Sequence, residues 1–218
     1  TATMEEVRSF PLNHPVKIEL SADGNYIFST FYNGELVDGL ARIRLSDGNT
    51  EILDLEDWIS DIAIDQDGGV VWAVQRSWPL EGSTMDDFPD DLSGRLIRIS
   101  TDGALSVTNQ VAIESLPNSI YYASINNKLY VKHQLTYFGY DDPNDPWEEY
   151  DISSRLLTVY SADTLDQICQ TYGGGDHVDM IECSELSGWD SSGRFMMIPT
   201  MIQCTPNYSF KVIDTQDD

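Results

Sequence analysis

Positive charge is what this sequence has least of. Twelve Lys and Arg face 37 Asp and Glu, and the formal net charge is -25. Only four of the twelve are Lys. Binding to phosphate needs clustered Lys and Arg, so nucleic acid is argued against as a partner, and so are anionic membrane surfaces. Cysteine is scarce too: there are three, with no CxxC pair, which speaks against a zinc ribbon or a thioredoxin-type site. No apolar run approaches the roughly 20 residues that span a bilayer, so membrane insertion is not expected. The opening TATMEEVRSF lacks the apolar centre of a signal peptide. No 3.6-residue periodicity persists long enough to predict a helix. GxSxG, P-loop and HExxH patterns are all missing.

What is present is a repeat. A hydrophobic content of 41% fits a folded domain. Four segments share one plan, an apolar run, a polar turn and a second apolar run: 16–30, 59–74, 118–133 and 184–199. Their turns read SADG, DQDG, SINN and DSSG. Asp, Asn, Ser and Gly suit tight hairpins because they tolerate positive φ or hydrogen-bond their own backbone. A second hairpin follows each: ARIRLSDGNTEILDL, RLIRISTDGALSVTN and RLLTVYSADTLDQICQTY, with a fourth copy begun in SFKVIDTQDD. Each unit therefore predicts four short antiparallel strands, a to d. Units of this size and content predict blades of a β-propeller.

The fold class expected is all-β: one propeller domain of about four blades, at 13–57, 58–112, 113–175 and 176–218. The fourth lacks strand d, and residues 5–12 offer a spare strand. An open ring leaves sheet edges unpaired, so the N-terminal strand is expected to close it against residues 209–214.

The repeats resemble the YVTN, NHL and gluconolactonase-like group of β-propellers, through SDIAIDQDGGVVWAV with RLIRISTDG and through LPNSIYYASINNKLYV. That group usually has six or seven units, whereas four are found here. The resemblance implies a calcium-dependent hydrolase or lactonase as the alternative function, with an acid or Asn near the start of each strand a lining the channel. The comparable positions are Asp61, Asn118 and Glu185. Their registers do not agree with one another, which favours a structural hydrogen bond to a neighbouring blade.

Two b–c connections are long. The first carries Trp78, Asp86, Asp87, Phe88, Asp90 and Asp91. The second carries Tyr140, Asp141, Asp142, Asp145, Trp147, Glu148 and Glu149. Propeller geometry puts both on one face, and long loops on a rigid scaffold are where binding resides. Carboxylates interleaved with aromatics suit a protein, cationic or glycan ligand. Calcium is the candidate cofactor, with Asp141, Asp142 and Asp145 as its ligands. The function expected is a non-catalytic, secreted or surface binding and assembly module, outside the cell or in the periplasm. Counting strand partners about the fourth hairpin brings Cys183 near Cys204, predicting a disulfide with Cys169 outside it. His14 and His177 fall in entry segments that face one rim. DQDGG at 65–69 reads as a hairpin turn before it reads as a metal loop.

Overall fold

The computed structural model describes residues 9–33, 37–65, 68–76, 94–113, 117–133 and 155–172, together with the strands of residues 179–180, 188–189, 195–202 and 208–214. Every element formed by the described residues is a strand. The first sheet holds β1 (Pro15–Leu20), β2 (Tyr26–Phe31), β3 (Gly39–Arg44) and β4 (Thr50–Asp54). The second holds β5 (Trp58–Ile64), β6 (Val70–Arg76), β7 (Gly94–Ser100) and β8 (Ser106–Ile113). The third holds β9 (Pro117–Ala123), β10 (Lys128–His133), β11 (Arg155–Ser161) and β12 (Gln167–Tyr172). Each of these three is an antiparallel meander in chain order. The fourth contains β13 (Asp179–Met180), β14 (Gly188–Trp189), β15 (Phe195–Ile202) and β16 (Tyr208–Asp214), with β13, β14 and β16 all pairing β15.

In the first three sheets the turns form where the sequence places them; the DSSG turn lies outside the described residues. Gly24 and Gly68 take positive φ in the first hairpins of sheets one and two, and Asn127 takes the same conformation in SINN. In the second hairpins, the amide of Gly48 donates to Arg44 O at 2.8 Å. The amide of Leu165 makes the equivalent bond to Ser161 O at 3.0 Å. Leu165 holds a φ of 62° there, where Gly48 has 78°. An L-residue pays for that conformation, and Leu165 is retained because its side chain is buried between sheets two and three.

Pairing makes the three sheets equivalent residue by residue. Lys17 lies opposite Thr30, Asp61 opposite Val74, and Ser119 opposite Lys132. On the same count, Phe28, Trp72 and Tyr130 occupy one position of strand b, and Leu40, Leu96 and Leu157 one position of strand c. These residues point forward, toward the next sheet. Phe28 and Leu40 pack on Ile62, Val71 and Ile99 of sheet two. Trp72 and Leu96 pack on Ile120, Leu129 and Tyr160 of sheet three. Each such side chain contributes roughly 1.5–3 kcal/mol by leaving water.

Polar staples cross the same junctions. The Trp72 indole donates to Ala162 O at 3.0 Å. Asn109 donates to Thr164 O at 2.9 Å. The Arg42 guanidinium bridges its cross-strand partner Glu51 and the carbonyls of Thr101 and Gly103. Glu51 in turn accepts from the Leu105 amide at 3.1 Å. Every staple reaches the second hairpin of the following sheet, so sheet order and register are fixed together.

Among the described residues the sheets do not close into a ring. Ser9–Leu12 form no strand, and Phe10 and Leu12 instead rest beside Phe31, Ala41 and Ile43 of the first sheet. The expected pairing of residues 5–12 with 209–214 is thus not seen over the described part of that segment; residues 5–8 lie outside it. The count behind the Cys183–Cys204 disulfide also changes. Met180, not residue 183, stands opposite Met201, because β13 and β14 pair with β15 in different registers. The two cysteines lie outside the described residues, and Cys169 is exposed on β12.

Candidate binding face

Both long connections leave from one end of the sheets. Arg76 pairs with Gly94, closing the ladder at the stem of 77–93. His133 ends β10 and Arg155 begins β11 at the stem of 134–154. The predicted residues Trp78, Asp86, Asp87, Phe88, Asp90, Asp91, Tyr140, Asp141, Asp142, Asp145, Trp147, Glu148 and Glu149 lie outside the described residues, as does His177. The described part of this end is the floor from which those connections depart.

The floor is an aromatic and cationic row. The His14 ring meets Tyr32 edge-on at 6.2 Å, and Tyr32 meets Trp58 edge-on at 6.2 Å. The Arg76 guanidinium lies 5.5 Å from the Trp58 ring centre. His14, with a φ of 42°, is held by the chain around it: Asn13 donates to Tyr32 O at 2.9 Å and shares a 2.9 Å hydrogen bond with His14 Nδ1. Burial pulls the Arg76 pKa down from its ordinary value. Sequence reasoning placed His14 on a rim but missed Tyr32, Trp58 and Arg76, since single residues at or beside the ends of four different strands carry no spacing motif.

Acids stand beside that row. Asn33 donates to Asp54 at 3.1 Å. Asp38 Oδ1 is buried without a hydrogen-bond partner among the described residues. Burial pushes the Asp38 carboxyl up, and the charge of Asp54 adds to the shift. Asp57 pairs with Arg95 at 3.6 Å. Among the described residues no group of three His, Cys, Asp or Glu is placed to hold a metal.

At the inner edge the arrangement is structural. Asp61 is buried; its Oδ1 pairs with Lys17 Nζ of sheet one at 3.0 Å, and its Oδ2 accepts from the Ile120 amide of sheet three at 3.1 Å. One carboxylate thus ties three sheets, the inter-blade role weighed for it from sequence. The partners respond differently. Burial raises the Asp61 pKa more than Lys17 lowers it. Lys17 is half-exposed, so burial counts against its charge, but Asp61 and then Glu19 outweigh that and raise its pKa. Glu19 is raised by burial, against the pull of Lys17. The residue of sheet three matching Asp61 is Ser119, not Asn118, because a bulge precedes Asp61 and one lies at the facing end of β10. Glu185 lies outside the described residues. At the DQDGG turn, Asp65 accepts from the Val70 amide at 3.1 Å, a hairpin-closing bond.

Solved structures share the arrangement of the sheets. The Swd1 β-propeller domain of Myceliophteria thermophila superposes with a TM-score of 0.58 at 9% identity, covering 97% of this chain and 55% of its own. An oligogalacturonate lyase in complex with manganese gives 0.61 at 14% identity, covering 92% of this chain and 50% of its own. An oligogalacturonate lyase of Vibrio parahaemolyticus gives 0.59 at 14% identity, covering 91% and 49%. The sheets are propeller blades. At such identities the likeness establishes the fold alone, and the chain spans about half the length of these propellers. No family model matches the chain, and no curated protein matches it. Likeness to the NHL and gluconolactonase-like group therefore rests on the repeat motifs.

Proposed function

We propose that the chain is a non-catalytic binding module whose loop-bearing face takes a lysine- or arginine-bearing segment of a partner protein. The observation that carries this reading is the row His14, Tyr32, Trp58 and Arg76, fixed at the end where both acidic connections depart. Aromatic faces attract cations, and desolvated contacts of this kind contribute about 2 kcal/mol. The acids of the connections supply charge, and the blades supply a rigid floor. Asp38 adds a further reason for a cation. Its carboxyl is raised by burial and by Asp54, so a cationic side chain there would relieve both carboxylates.

Titration calorimetry with a lysine-rich peptide, beside an acidic peptide of equal length, tests the reading. Saturable heat with the basic peptide is expected. It should fall with added salt and be lost when Asp86, Asp87, Asp90, Asp91, Asp141, Asp142 and Asp145 become Asn. Heat that survives those substitutions, or no heat at all, would count against it. Calcium in a parallel cell separates a metal site at Asp141, Asp142 and Asp145 from a peptide site, because metal heat requires no peptide.

A further inference from the structure

A groove of about 550 Å³ lies where the end of blade one crosses to blade two. Asp54, Leu55 and Glu56 line it from that crossing, Gln75, Arg95 and Ile97 from β6 and β7, and residues 107–110 from β8. Its volume falls within the roughly 300–1,000 Å³ usual for small-ligand sites. It shares no described residue with the row of His14, Tyr32, Trp58 and Arg76.

Gln75 is the residue that calls for a ligand. Its side chain is 1% exposed. Nε2 donates to Leu55 O at 2.9 Å and to Asp57 O at 2.8 Å, which orients the amide and uses both of its N–H groups. Oε1 is buried without a hydrogen-bond partner among the described residues. A buried acceptor without a donor is destabilising. The other blades avoid that at the same position of strand b. Blade one has Phe31 there, packed with Ala41 and Ile43. Blade three has His133, whose Nε2 shares a 2.8 Å hydrogen bond with Thr158 Oγ1. Only in blade two does this position leave a buried acceptor open, and there it lines a groove.

The lining decides the charge of the ligand. Arg95 stands opposite Gln75 in the ladder, so a cation would be repelled there. Asp54 and Glu56 stand on the crossing, so an anion would be repelled by them and by the net charge of -25. A hydroxyl suits both surroundings, since it donates one hydrogen and accepts through two lone pairs. Leu55, Ile97 and Val107 add an apolar strip for ring C–H groups. We propose that this groove binds a neutral mono- or disaccharide, with one hydroxyl donating to Gln75 Oε1 and another accepting from Arg95. The site is separate from the peptide-binding row and does not rest on that reading.

Amide NMR spectra of the isotope-labelled full chain, titrated with glucose, galactose, N-acetylglucosamine and maltose beside free arginine and citrate, test it. A neutral sugar should give saturable shifts centred on residues 54–57, 75, 95–97 and 107–110. The Gln75 side-chain amide protons should move with them, because a donor on Oε1 polarises the whole amide. Val107 is 43% exposed, so Val107→Trp should fill the groove and abolish the shifts with melting unchanged. Ile168→Trp, at a site 49% exposed on the outer strand of blade three, should leave them intact. Arg95→Ala should weaken binding about tenfold, the loss of one hydrogen bond from a charged donor. The Asp-to-Asn variant of the two connections should keep its sugar shifts even as peptide heat is lost, so the two readings fail separately. Overturning results are no saturable shift with any of the sugars, or shifts with arginine or citrate alone. So are sugar shifts that leave the Gln75 side chain still, that survive Val107→Trp, or that vanish with the acids of the connections.

Discussion

Two residues show how far the repeat bends local preference. Leu165 sits at a φ of 62° with its side chain buried, so it combines a strained backbone with a filled core position. Truncating a buried leucine costs about 2–5 kcal/mol. Ala at 165 keeps the Cβ penalty of the left-handed region, roughly 1 kcal/mol, and Gly does not. Leu165→Gly is therefore expected to be milder than Leu165→Ala by about 1 kcal/mol in urea denaturation, the reverse of the order at an ordinary buried leucine. Equal or reversed stabilities would mean that the backbone is not strained there. Asp61 gives a pH signature. Its folded-state pKa is raised, chiefly by burial, so the folded state binds that proton more readily than the unfolded chain. The stability it contributes is greatest below the unfolded pKa and is lost as pH rises through the folded one. Acidifying from neutral toward that folded pKa should raise the melting temperature, and Asp61→Asn, which keeps an acceptor for Ile120, should flatten the rise. An identical pH profile in the variant would show that Asp61 is not the group responsible.

At the scale of the element, the strands and turns were legible because each signal is local. Alternation of two residues marks a strand, and an Asp-Gly or Asn-rich tetrapeptide marks its turn. Equivalence between blades was harder to read, because bulges beside Asp61 and Ser119 displace the count. That is why Asn118 was matched to Asp61 when Ser119 is its partner in position. The column of Phe28, Trp72 and Tyr130 lay in plain view, third in each strand b, and aligning the strand starts would have found it. The aromatic row was not legible, since its residues lie at or beside the ends of separate strands and are far apart in sequence. Gly94 belongs to the same level. A Cβ there would lie 2.3 Å from Pro117 Cδ and 2.5 Å from Gln75 O, so β7 and the start of β9 approach as closely as they do only because residue 94 has no side chain. Gly94→Ala should cost about 1–3 kcal/mol by forcing blades two and three apart. Denaturation indistinguishable from the parent would show that the junction tolerates a shift.

For the molecule as a whole, the acidic excess divides into two uses. Some acids build turns: Asp23 accepts from Ser21 Oγ at 2.7 Å and from the Asn25 amide at 2.9 Å, and Asp47 accepts from the Asn49 amide at 2.9 Å. Those bonds hold both carboxyls below their ordinary pKa. Others, such as Glu51 and Asp61, pair with a cation, and the unpaired remainder repel one another across a chain of net charge -25. Raising NaCl from about 0.01 to about 1 M shortens the screening length from roughly 30 to roughly 3 Å, and the melting temperature should climb throughout. A flat response would mean the turn bonds already compensate the charge. In the function proposed, the blades are a scaffold that presents the two acidic connections. Replacing 77–93 and 134–154 with short Gly-Ser linkers, then measuring melting and lysine-rich peptide binding on the same sample, tests it most directly. Melting close to the parent with binding lost is the predicted result. Loss of cooperative melting, or binding that persists, would contradict it.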